Sequence, residues 1–150
     1  MAMEPASNPL VHALACGFLV QLSKVLTFLL REKKINVRRL VETGGMPSSH
    51  AASVSALSTC VGLREGVGSV LFNVVLFFSL VVMYDAAGLR RAAGRQATLL
   101  NRILYEHIKL PGPPYERLRE LLGHTPLEVL VGAIIGVLFS IAIYRAPGGP

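Results

Sequence analysis

Four groups of residues in this 150-residue chain have types and spacings suited to chemistry. The first is Lys24, which shares a helix face with Gln21 three positions earlier. The second is the turn Thr43-Gly44-Gly45-Met46-Pro47-Ser48-Ser49-His50, where two glycines, a proline, two serines and an imidazole precede an apolar helix. A helix start leaves its first N–H groups unpaired and carries partial positive charge, so the turn suits an anion with His50 beside it. The third group is Asp85 followed by Arg90, Arg91 and Arg95. The fourth is His124 with Glu128, four apart on a helix, where the carboxylate holds the imidazole in one tautomer and raises its basicity.

Two histidines and a cationic cradle suit phosphoryl transfer with no required metal: one imidazole attacks phosphorus and the other protonates the leaving oxygen. Lys24 and the arginines supply positive charge, arginine with bidentate geometry. Two other readings stay open. His50, Asp85, His124 and Glu128 are ligand types that manganese or zinc accepts, which would make a hydrolysis metal-dependent. The same cationic pocket would also serve a protein that binds or transports an anion or a lipid without turning it over.

The elements that must position these residues are apolar. The chain is 52% hydrophobic and only 16% charged, with a mean hydropathy of +0.53, too apolar for an ordinary soluble domain. Its apolar residues gather in runs near the ~20 residues that cross a bilayer. The expectation is therefore all-α: a single-domain (1–150) integral membrane bundle of four transmembrane helices, at about 9–31, 48–63, 68–88 and 126–145. Asn8-Pro9 can open the first. At ~24 Å the second is short for a span. Its small residues, among them Ala51, Ala52, Ser55 and Ala56, suit close packing inside the bundle, with its start sunk below the membrane surface. Between 95 and 109, Leu99, Leu100, Ile103, Leu104 and Ile108 lie opposite Arg102, Glu106 and Lys109, which predicts an amphipathic helix in the interface.

A net charge of +6 could indicate nucleic acid, but its placement argues otherwise. Five basic residues lie in 31–39 and seven in 90–119, leaving only Lys24, Arg64 and Arg145 elsewhere. This is a positive-inside pattern for a multi-pass protein of the cell (inner) membrane. It puts both termini outside and Lys24, His50, Asp85, His124 and Glu128 at the cytoplasmic end. Cys16 and Cys60 read as small buried hydrophobes, and His12 and His107 have no part in the reading.

The segments Gly44-Gly45-Met46-Pro47-Ser48-Ser49-His50, Tyr84-Asp85-Ala86-Ala87-Gly88-Leu89-Arg90-Arg91-Ala92-Ala93-Gly94-Arg95-Gln96-Ala97 and Leu122-Gly123-His124-Thr125-Pro126-Leu127-Glu128-Val129 together resemble the divergent branch of the phosphatidic acid phosphatase type 2 superfamily, which is related to vanadium haloperoxidases. Of that superfamily's motifs, Lys-x6-Arg-Pro is met by Lys24 and Arg31, with Glu32 in the proline place. Pro-Ser-Gly-His is met by Pro47, Ser48 and His50, with Ser49 in the glycine place. The His-x3-Asp end is met by His124 and Glu128, a longer acid, while Arg117 and Leu118 stand where Ser-Arg is expected.

The resemblance implies a lipid phosphatase with a lipid phosphomonoester or pyrophosphate as substrate and no required cofactor. His124 is then the nucleophile, Glu128 its orienting partner and His50 the general acid. Lys24, Ser48 and Ser49 contact phosphate. Apart from any motif match, the position of the charges lets Arg90 or Arg91 take the place of the missing arginine from another helix, with Asp85 pairing an arginine and Gln21 and Arg95 supporting the site.

Overall fold

The computed structural model describes residues 8–33, 45–104, 118 and 123–146, and among them every regular element is helical. The helices are α1 (Pro9–Glu32), α2 (Ser49–Glu65), α3 (Val70–Ala87), α4 (Leu89–Arg102) and α5 (Pro126–Tyr144). Four start on a side-chain cap that accepts one of the first-turn N–H groups: Asn8 for α1, Ser48 for α2, Ser69 for α3 and Thr125 for α5. Pro9 and Pro126 occupy first-turn positions, where a missing N–H costs nothing.

Three stretches are long and apolar enough to cross a membrane: Pro9–Leu30, Val70–Arg102 and Pro126–Tyr144. The 17-residue α2 is not among them. It is wrapped instead, packing against α5, α1 and α3, with Ala51, Ala52, Ala56 and Cys60 fully buried. Glycines permit the approach. A methyl group on Gly132 would overlap the Ser48 carbonyl, and one on Gly136 would overlap the backbone at Ala52 and Ala56. Gly132-x3-Gly136 therefore lies along Ser48-x3-Ala52-x3-Ala56 as two small-residue ridges in contact, the arrangement that brings membrane helices together.

Hydrogen bonds set the helix directions. Between α2 and α5, Ser48 N–H donates to the Glu128 carbonyl (3.0 Å), Ser140 Oγ to the Ala56 carbonyl (2.9 Å) and Tyr144 Oη to the Leu63 carbonyl (3.2 Å), so the two helices run parallel. Ala51 packs with Ala86 and Ser58 Oγ bonds Ser79 Oγ at 2.6 Å, so α3 is antiparallel to α2. Helix α1 is antiparallel to α5: His12 meets Ser140 at one end, and Lys24 interacts electrostatically with Glu128 at the other.

The described bounds depart most from expectation at α4. The chain turns at Gly88 and α4 begins at once, at Leu89 rather than near 95. Alanines at 86, 87, 92, 93 and 97 keep this charged stretch helical, since alanine is the best helix former. Of the expected interfacial helix, 105–109 lies outside the described residues, as do 34–44 with Thr43 and Gly44. His12, which had no part in the sequence reading, is almost fully buried. Ser140 has one hydroxyl proton and gives it to Ala56, so His12 donates through Nδ1 to Ser140 Oγ at 2.6 Å and ties α1 to α5 and α2.

Candidate functional site

The start of α5 builds the centre of the site. Thr125 Oγ1 accepts from Glu128 N–H at 3.3 Å while Glu128 Oε2 accepts from Thr125 N–H at 3.0 Å, a reciprocal capping box. The same Oε2 lies 3.1 Å from His124 Nδ1. An ionised carboxylate only accepts, so the imidazole donates from Nδ1 and carries its lone pair on Nε2. The His124 backbone is held as well, its N–H donating to the Ala86 carbonyl of α3 at 2.9 Å. His124 is only 3% exposed, and its Nε2 has no hydrogen-bond partner among the described residues. A buried polar atom left without a partner costs free energy unless another molecule meets it.

The start of α2 forms the adjoining wall. Gly45 has φ +76°, left-handed backbone that glycine adopts freely, and the Met46–Pro47 bond is cis. Ser48 is fully buried. Its N–H binds the Glu128 carbonyl, and its hydroxyl accepts from Ala51 N–H at 3.3 Å as the helix cap. Ser49 is half-buried, and its hydroxyl has no partner among the described residues. His50 is exposed, with its ring centroid 6.2 Å from that of His124 and the planes 61° apart. Lys24, buried on α1, completes the group through its electrostatic interaction with Glu128.

One end of the bundle thus gathers Lys24, Ser48, Ser49, His50, His124 and Glu128. Gln21 is half-buried one turn before Lys24, and Asp85 is half-buried on the last turn of α3, next to the Ala86 carbonyl that holds His124. Arg91 and Arg95 are exposed on α4 and make no polar contact with this group among the described residues. The Arg90 side chain and Arg117 lie outside the described residues. Among the described residues, no three of His, Cys, Asp and Glu come together as a group that could hold a metal ion.

Two contributors were missed in the sequence reading. Thr125 fixes the Glu128 carboxylate, and its signal, Thr-x-x-Glu before an apolar run, is a readable capping box. The Ala86 carbonyl is a main-chain group of an ordinary residue, and no motif marks it.

The profile of a family described as the divergent PAP2 family matches residues 6–139 of this chain. The "Uncharacterized membrane protein YuiD" of Bacillus subtilis (strain 168) is 37% identical over 153 residues, covering 94% of this chain and 97% of that protein. No solved structure matches. With apolar helices of bilayer length and a relative described as a membrane protein, the chain is a multi-pass membrane protein.

Proposed function

Because the chain belongs to the divergent PAP2 family, we propose that it is a membrane lipid phosphatase, hydrolysing a lipid phosphomonoester or pyrophosphate at the cytoplasmic face of the cell membrane. The observation that carries this is His124: buried, held through Nδ1 by Glu128, with an Nε2 that has no partner among the described residues and a second imidazole whose ring centroid is 6.2 Å away. A phosphoryl group attacked at ~3–3.5 Å by one nitrogen, with its leaving oxygen hydrogen-bonded to the other at ~2.8 Å, needs two imidazoles about one phosphoryl group apart.

His124 Nε2 attacks phosphorus. The N–P bond forms as the bond from phosphorus to the leaving oxygen breaks, and His50 gives that oxygen its proton. Water then attacks the phosphohistidine, its proton passes to His50, and the N–P bond breaks to release phosphate. Glu128 holds the Nδ1 proton throughout and stabilises the positive charge that develops on the ring. The buried and exposed positions suit these roles: the nucleophile is shielded, while His50 exchanges protons with the aqueous mouth. Lys24, the Ser49 hydroxyl and the first-turn N–H groups of α2 face the phosphoryl oxygens. The Ser48 hydroxyl accepts from Ala51 N–H as the helix cap and keeps its own proton to donate to a phosphoryl oxygen.

In this reading α2 is a fourth, short crossing that opens onto a recessed site, α4 lies in the interface, and the basic segments face the cytoplasm with both termini outside. Phosphate release from a panel of phospholipids by detergent-purified protein tests it. Wild type releases phosphate, His124→Ala falls to background and His50→Ala falls by ~10²–10⁴. Equal release by all three, or binding without release, overturns the proposal.

A further inference from the structure

We propose that Asn101 of α4 is a positioning residue for the nucleophilic histidine, acting through the main chain of Leu118; this rests on the phosphoryl-transfer reading above. Asn101 is almost fully buried and shares one face of α4 with the buried Gly94 and Ala97. Its carboxamide grips a single residue from both sides. Nδ2 donates to the Leu118 carbonyl at 2.9 Å, and Oδ1 accepts from the Leu118 N–H at 3.0 Å. Leu118 lies outside the helices and is itself 44% exposed, so among the described residues its place is set by this main-chain clamp and not by burial of its own side chain. A buried amide is costly unless its donor and acceptor are both met, and one peptide unit on each side of Leu118 meets them here.

What the clamp holds is the approach to His124, six residues further on. Downstream, the imidazole is fixed by Glu128 and its capping box with Thr125. Upstream, His124 follows Gly123, whose φ of +87° is left-handed backbone that glycine enters and leaves with little restraint. The His124 N–H then ends on the Ala86 carbonyl. One hydrogen bond fixes a single peptide group, so the chain's course into it has to be set further upstream. The nearest such point among the described residues is Leu118. Both anchors belong to one continuous stretch, because Ala86 ends α3, Asn101 ends α4, and the two helices meet at Gly88. Attack on phosphorus tolerates little error: a misplacement of ~1 Å caused far from the chemistry can cost ~10²-fold in rate. Asn101 needs no contact with substrate to exert this control.

Two variants of the full-length protein in detergent micelles test the clamp. Asn101→Leu has nearly the same size and makes neither bond; Asn101→Asp keeps the acceptor for the Leu118 N–H and loses the donor, and it decides the matter if Asn101→Leu fails to fold. With phosphatidate as substrate, kcat should fall by ~10–100-fold while KM stays within about twofold, since the phosphate contacts are untouched. Amide hydrogen exchange followed by NMR gives a readout apart from turnover. Exchange at His124 and Leu118 should become roughly tenfold faster or more, with the buried amides of α2 and α5 unchanged, because only the local anchor is lost. Unchanged exchange at His124, or a kcat within about twofold of wild type, overturns the proposal. Faster exchange spread evenly over α2, α3 and α5 overturns it too, making Asn101 an ordinary structural residue. A wild type that releases no phosphate removes the phosphatase reading alone, and faster exchange confined to His124 and Leu118 then still upholds the clamp.

Discussion

Glu128→Gln is the perturbation that the geometry makes most quantitative. Two donors end on one carboxylate oxygen, Thr125 N–H at 3.0 Å and His124 Nδ1 at 3.1 Å. The amide keeps a carbonyl oxygen able to occupy that place but carries no charge. A hydrogen bond to a charged group is worth ~1.5–3 kcal/mol, and charge assistance supplies about half of it. With the carbonyl still facing the ring, transition-state stabilisation falls by ~1–1.5 kcal/mol, about tenfold in kcat. If the amide turns its NH2 toward the ring, Nδ1 must accept, the proton moves to Nε2, and the loss approaches the ~10⁴ of a wrong-tautomer histidine. The expected result is a kcat reduced by ~10–10⁴ with little change in KM, since the phosphate contacts remain. Loss of the charged half of the capping box lowers stability by ~1 kcal/mol or less. Steady-state phosphate release and thermal unfolding in the same detergent separate the two effects. A kcat within about twofold of wild type, under ~0.5 kcal/mol, refutes the claim that Glu128 orients the nucleophile.

Other substitutions probe the remaining parts. His50→Ala should cost ~10²–10⁴ in kcat with a lipid alkyl phosphate and far less with an aryl phosphate, whose leaving group needs little protonation; equal losses on both count against His50 as the acid. Lys24→Met keeps length and removes charge, and should lower kcat/KM by ~10–100-fold, the ~1.5–3 kcal/mol of a charged phosphate contact; an unchanged kcat/KM would remove Lys24 from the site. Gly136→Ala places a methyl against the α2 backbone at Ala52 and Ala56 and should destabilise by ~1–3 kcal/mol. An unchanged Tm would mean that α2 and α5 are not in that contact.

The parts of the site that residue type encodes were legible in the sequence. Lys24, His50, His124 and Glu128 are costly at membrane depth, and their clustering at one end follows from alternating helix directions. The wrapped position of α2 was legible too, because its length falls short and its residues are small. Geometry that depends on tertiary packing was not. Nothing local shows that His12 faces Ser140, 128 residues away, or that the Ala86 carbonyl receives the His124 N–H. The start of α4 was not legible because the apolar periodicity begins only near 95, whereas alanine propensity already makes the charged stretch helical from Leu89. Ser48 matches a phosphate-contact position by motif, and no motif shows that its hydroxyl also accepts from Ala51 N–H to cap α2.

The central claim is that His124 Nε2 forms a covalent bond to phosphorus. Rapid mixing of the purified protein with a lipid labelled with ³²P in its phosphoryl group, followed by alkaline quench and peptide mapping, measures this directly. An alkali-stable, acid-labile phosphohistidine is expected at residue 124, absent from His124→Ala and accumulating in His50→Ala when the substrate is an aryl phosphate. No label on wild type during turnover, or label that persists in His124→Ala, contradicts it.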